Sequence, residues 1–122
     1  MKKKLLLLCA IALMTPAFGF LTLQKLNSST YIKANDAFIL GNNAHAKFSI
    51  RIKNISKTAL IIGQSPIAGG IRTEITLSAN QVAKIQVDRN NLLRIDNPSN
   101  EEAAVSLQIK GDTGLSMGYK NQ

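Results

Sequence analysis

Beyond the first two dozen residues, apolar and polar positions take turns along the chain. In AKFSIRIKN, Phe48, Ile50 and Ile52 fall on one side and Lys47, Ser49, Arg51 and Lys53 on the other. That period of two belongs to an extended strand with one buried face. GIRTEITL repeats it, with Ile71, Thr73, Ile75 and Leu77 set against Arg72, Glu74 and Thr76. QVAKIQV sets Ala83, Ile85 and Val87 against Lys84 and Gln86, and AAVSLQIK sets Val105, Leu107 and Ile109 against Ser106, Gln108 and Lys110. TALIIG, from Thr58 to Gly63, is apolar on both sides, as a central strand can be. LLRID (Leu92 to Asp96) and LSMGY (Leu115 to Tyr119) are shorter candidates, and STYIKA with AFILG supplies the first strand or two.

Turn chemistry separates these runs: Asn54-Ile55-Ser56, Ser78-Ala79-Asn80, Asp88-Arg89-Asn90-Asn91, Asn97-Pro98-Ser99-Asn100 and Gly111-Asp112-Thr113-Gly114. No stretch after Phe20 holds a helical period. The expectation is an all-β domain over residues 20–122, an antiparallel immunoglobulin-like β-sandwich of seven or eight strands, following an N-terminal signal helix. Within it, Ile75 to Val87 reads as a hairpin corner. That hairpin buries Ile75, Leu77, Ala83, Ile85 and Val87 and shows Glu74, Lys84 and Gln86 to solvent. IRIKNIS (Ile50 to Ser56) and LRIDNPS (Leu93 to Ser99) echo each other, each a strand that ends in an Asn-x-Ser turn. The glycine-rich GQSPIAGG, Gly63 to Gly70, reads as a long mobile loop around Ile67, and DNPSNEE as a solvated turn.

The amino-terminal end is different. Met1-Lys2-Lys3-Lys4 precedes an uncharged run from Leu5 to Leu23, with Ala17 and Gly19 small. This is the layout of a signal peptide over residues 1–19, cleaved before Phe20. An uncleaved anchor is the alternative, since the run is long enough to span a bilayer. A lipid anchor at Cys9 is disfavoured, because Leu8 stands where a small residue is needed. Cleavage removes three lysines, no acid and the one cysteine, so the net charge of +8 becomes +5. An exported domain without disulfides depends on its core. Its positive charge favours acidic partners.

Catalytic chemistry is sparse. A Ser-His-Asp or Cys-His site would have to use His45, the one histidine, which reads instead as a surface or strand-edge residue. His45 with Met117 is a thin basis for a copper site. Tryptophan is absent and aromatics are 5% of the chain, which argues against base-stacking platforms for nucleic acid. The reading is a protein that is not an enzyme and needs no metal or cofactor.

The segment from Thr76 to Tyr119 resembles the end of the small periplasmic curli-assembly chaperones, which inhibit amyloid formation by the curli subunit. Leu77-Ser78-Ala79-Asn80-Gln81 is similar to that family's Leu-Pro-Ala-Asn-Gln turn, with Ser78 in place of the proline. A strand, a polar turn, an apolar strand and a terminal Asp-Gly-type hairpin follow in the same order. Gly69-Gly70 ahead of the preceding strand fits as well. The Cys-x-Cys pair that some members carry near Ala44 to Lys47 is missing, so no redox role carries over. The resemblance implies an immunoglobulin-like, non-enzymatic protein of the periplasm, or a secreted one. It would be a monomer that neither inserts in the membrane after cleavage nor binds nucleic acid. Its partner would be a protein client, an amyloid-forming curli-type subunit. Lys47, Arg51, Lys53, Arg72 and Lys84 are the candidate contacts, as outward cations on the strands. Pairing along an exposed strand edge is the competing mode. A structural or adhesive envelope or fimbrial accessory module is the alternative function.

Expressed with its leader in a cell that exports it, the chain should be recovered with Phe20 as its first residue, by intact-mass measurement. A chain still carrying Met1 and held in the membrane fraction would make the leader an anchor.

Overall fold

A computed structural model describes residues 25–121, all strand and connection. The leader assigned to residues 1–19 lies outside the described residues. Nine strands form: β1 (Lys25–Ile32), β2 (Ala37–Leu40), β3 (Phe48–Asn54), β4 (Leu60–Pro66), β5 (Thr73–Leu77), β6 (Val82–Val87), β7 (Asn91–Asp96), β8 (Ala103–Gly111) and β9 (Met117–Tyr119). They build a four-stranded sheet in the order β1-β8-β3-β6 and a five-stranded sheet in the order β5-β4-β7-β2-β9. Every pairing is antiparallel.

The alternation is realised as burial. Phe48, Ile50 and Ile52 of β3 and Val105, Leu107 and Ile109 of β8 turn into the sandwich, each 2% exposed or less. From the other sheet they meet Phe38, Leu40, Leu60, Ile62, Leu93 and Ile95, likewise buried. Each such side chain contributes about 1.5–3 kcal/mol by leaving water, so the core carries a fold that has no disulfide. β9 is held to β2 by the edge-to-face contact of Tyr119 on Phe38, ring centres 5.6 Å apart.

The expected sandwich is present, but its connections are not immunoglobulin-like. An immunoglobulin sandwich keeps several consecutive strands paired in one sheet. Here the first eight strands pass from one sheet to the other at each connection, save β4 to β5, the one consecutive pair that shares a ladder. That strand order is a jelly roll, two Greek keys closed on each other.

Two expectations fail for this reason. The turn between Leu77 and Val82 is not a hairpin: β5 lies in one sheet and β6 in the other, so the chain arches across the open side of the sandwich. And β5 is an edge strand: Ile75 is 47% exposed and Ile71, just before it, 88%, so that of Ile71, Thr73, Ile75 and Leu77, all expected to face inward, only Leu77 is buried. Ala83 and Ile85 are half-buried and Val87 fully buried. The mobile loop is shorter than its glycines suggested, because β4 runs on through Gln64 and Ser65 to Pro66.

The arch itself is locally determined. Asn80 takes a positive φ of 65°, which asparagine tolerates well. Gln81 N–H donates to Ser78 O at 3.1 Å, and the Gln81 side-chain oxygen accepts the Ser78 N–H at 2.8 Å.

The echo between IRIKNIS and LRIDNPS marks two equivalent crossings between the sheets. Asn54 ends β3 and Asn97 follows β7, and both are buried, at 0% and 1% exposure. Each uses its side-chain oxygen to accept the N–H and the hydroxyl of the serine two residues on, Ser56 or Ser99. Each spends its amide N–H groups on main-chain oxygens. Asn54 reaches Thr58 O at 2.8 Å and Leu77 O at 3.0 Å; Asn97 reaches Ile32 O at 3.0 Å and Glu101 O at 2.7 Å. The Asn97 segment is therefore a packed corner and not a solvated turn. Asn54→Ala or Asn97→Ala strands a buried carbonyl, that of Leu77 or Ile32, together with a half-buried serine N–H, and should cost about 2–4 kcal/mol in urea unfolding. A loss below about 0.5 kcal/mol in both would show that these bonds do not hold the corners.

Candidate functional site

The register places the outward residues of the four-stranded sheet in rows. Lys25, Lys110, Ser49 and Gln86 form one row; Asn27, Gln108, Arg51 and Lys84 the next; Ser29, Ser106, Lys53 and Val82 the third. Tyr31, 59% exposed, stands opposite Ala104 at the far end of β1. Five cations thus share one face: Lys25, Arg51, Lys53, Lys84 and Lys110. None of the four strands contains an aspartate or a glutamate. Amides and hydroxyls fill the remaining positions. The face is hollowed over its middle rows. One concavity of about 580 Å³ is lined by Ser49, Arg51, Lys84, Gln86, Gln108 and Lys110 among others. A second, of about 330 Å³, continues from it over β1 and β8 and shares Arg51 and Gln108. Arg51 stands where the two meet.

The opposite sheet balances its own charge. Arg72 Nε lies 2.9 Å from Glu74 and its NH2 group 2.7 Å from Asp96, which also takes Arg94 at 2.6 Å. The Arg72 guanidinium rests on the main chain at Gly63, where a Cβ would collide with it. Glycine at the end of TALIIG thus makes room for an ion-pair network.

Of the five cations expected to meet a partner, the structure brings Arg51, Lys53 and Lys84 together. Lys47 is exposed one residue before β3, with the parity of Ser49 and Arg51. Arg72 lies apart from them, with the other sheet, where it is paired with two carboxylates. Lys25, Lys110 and Tyr31 complete the basic face and were missed. The alternation had already turned Lys110 outward; that β1, β3, β6 and β8 lie side by side is not written in any one segment.

His45 is not a surface residue. It is 6% exposed, and its Nδ1 and Nε2 lie 2.7 Å from Ala46 O and 2.6 Å from Asn91 O. Its ring packs edge-on against Phe48 at 5.2 Å. Both nitrogens are engaged by the main chain, which leaves neither to ligate copper with Met117 or to serve as a catalytic base. The histidine fastens the connection before β3 to the turn between β6 and β7, helped by Asn90, whose side chain accepts the His45 N–H at 2.9 Å.

With fold and face defined, the class is that of a jelly-roll domain with one basic sheet face. No family model matches the chain, and no curated protein does. Among solved structures it is similar to the capsular polysaccharide assembling protein CapF from Staphylococcus aureus, at 13% identity and a TM-score of 0.54, over 70% of this chain and 23% of that one. CapF with the inhibitor 3-isopropenyl-tropolone aligns at 13% identity and a TM-score of 0.53, over 68% of this chain and 23% of that one. The chain thus spans about a quarter of the CapF chain, and at this identity the likeness concerns the fold alone.

Asp112 braces the same end of the molecule as His45. Its carboxylate accepts N–H groups from Ala46 at 2.8 Å and Gly114 at 2.9 Å, which hold its pKa below the ordinary value, with a smaller push from His45. The folded pKa being depressed, this stabilisation is complete above the unfolded-chain value of about 3.9 and is lost as pH falls through the lower folded value. Asp112→Asn should lower the urea midpoint slightly at neutral pH, and the gap should close in acid. A gap that persists or widens in acid would contradict the assignment.

Proposed function

We propose that this is a non-enzymatic binding protein whose basic sheet face takes an acidic or amide-rich polypeptide. Following the resemblance over Thr76 to Tyr119, the client is a curli-type amyloid subunit, met in the periplasm and kept from premature fibre formation. The jelly-roll strand order departs from the immunoglobulin-like topology that the resemblance implied, so the proposal leans on the face itself. The observation that carries it is the segregation of charge. Five cations cover a hollowed sheet without one carboxylate on its strands, while the opposite sheet pairs its arginines internally.

The physics suits transient contact. Exposed charges act over a Debye length of about 10 Å at 0.1 M salt, and no pair on an open face is worth more than about 1 kcal/mol. Five cations close together attract a long acidic segment without gripping it. Serines and amides between them offer donors and acceptors to glutamine- and asparagine-rich sequence. Tyr31 adds an exposed ring of the kind enriched at contact surfaces.

The test is fibre growth of a curli-type subunit followed by thioflavin fluorescence. Substoichiometric protein should lengthen the lag, and salt raised from about 0.05 to about 0.5 M should shorten it again. Arg51→Gln, Lys53→Gln and Lys84→Gln should each weaken the delay by about twofold to threefold, whereas Arg72→Gln should leave it unchanged. No delay at equimolar protein in low salt would overturn the proposal.

A further inference from the structure

Four features meet at β6. It is the last strand of its sheet, and among the described residues no strand pairs beyond it. Its main chain is oriented toward that open side at every second residue. Gln81 O is turned the other way, to Asn54 N, whereas Gln86 O and Asp88 N face away from β3 and bond the side chain of Gln64 at 3.2 and 3.1 Å. By the alternation of an antiparallel ladder, Val82 and Lys84 therefore turn their N–H and C=O groups to the open edge. On one side of that edge lies the basic face, with Lys84 and its cross-strand neighbour Arg51. On the other lies an apolar cleft of about 90 Å³ between the sheets, lined by Ile62, Ile75, Ile85 and Leu93 among others. Ile75 at its mouth is 47% exposed.

We propose that β6 takes its client as an added strand, an extended segment in which apolar residues alternate with acidic or amide residues. This rests on the reading of the basic face as the client site and states how the client is held. Opposed residues in an antiparallel pair share a face. Residues opposite Lys84 and Gln86 join the basic face next to Lys84, with Arg51 one strand further, and favour aspartate, glutamate or glutamine. Residues opposite Ala83 and Ile85 point between the sheets, over Ile75. Gln64 occupies the Gln86 carbonyl and the Asp88 N–H, so pairing is limited to Val82 through the N–H of Gln86. A bound segment of that length gains few ladder bonds and leaves readily.

Charge selects this occupant over a second copy of the chain. Two β6 edges paired antiparallel would bring Lys84 toward its own counterpart and set two basic faces edge to edge, an arrangement that like charges disfavour.

Two capped peptides of one composition separate the modes: Asp-Val-Gln-Val-Asp-Val-Gln and its scramble Asp-Asp-Gln-Gln-Val-Val-Val. The purified full-length chain is titrated with each, while amide hydrogen exchange is followed by NMR. The proposal expects the alternating peptide to bind at least about tenfold more tightly and to slow exchange at the Val82 and Lys84 amides. It expects Val82→Pro, which removes an edge N–H without altering charge, to abolish that advantage. Lys84→Gln should weaken both peptides alike. Should Val82→Pro unfold the protein, the exchange data on the unaltered chain decide the matter. Equal binding of both peptides with no protection at Val82 and Lys84 overturns edge addition and leaves the basic-face reading standing. Binding of neither peptide counts against both. A concentration-dependent dimer that protects the same amides without peptide would assign the edge to a second copy and also overturn the proposal.

Discussion

Where a strand leaves one sheet for the other, its main chain gives up ladder partners inside the protein, and something must replace them. Asn54 and Asn97 do this at two equivalent crossings. An asparagine can accept and donate at once, and both use that capacity in full, taking a serine N–H and hydroxyl and giving to one carbonyl four residues on and one from a distant segment. Without that exchange the buried carbonyls of Leu77 and Ile32 would each lose a partner, at a cost that is a sizeable part of a small domain's net stability. The core can close because the crossings are satisfied.

The same topology creates the basic face. Alternate connections send β1, β3, β6 and β8 to one sheet, and those four strands carry the cations that have no carboxylate beside them. The acids that could have neutralised them, Glu74 and Asp96, travel with β5 and β7 to the far side, where they hold Arg72 and Arg94. In the chain Lys84 and Glu74 are ten positions apart and read as neighbours on one face. In the fold they lie on opposite faces of the sandwich.

Much of the scaffold was legible because its causes are local. Of the four strands whose alternation marks a buried side, β3 and β8 bury it in full and β6 in part. The exception, β5, fails for a tertiary reason: it is an edge strand beside an open side, and among the described residues nothing buries Ile75 or Ile71 just before it. The Ser78-Ala79-Asn80-Gln81 turn is likewise local, Asn80 supplying a left-handed residue and Gln81 closing the turn on Ser78. His45 was misjudged because a lone histidine in a polar loop carries no sign that two carbonyl oxygens will converge on its ring.

What the sequence by itself determined is the strand content, the inward and outward sides of most strands, the turn residues and the paired Asn-x-Ser corners. These follow from side-chain period and from hydrogen bonds that span a few residues. The tertiary structure alone decided which strands are neighbours, and with that the jelly-roll order, the opposite placement of Arg72 and Lys84, and the recruitment of Lys25, Lys110 and Tyr31 to one face. A period of two says on which side of a strand a residue lies, but sheet membership is set by long-range pairing, for which a single segment holds no record.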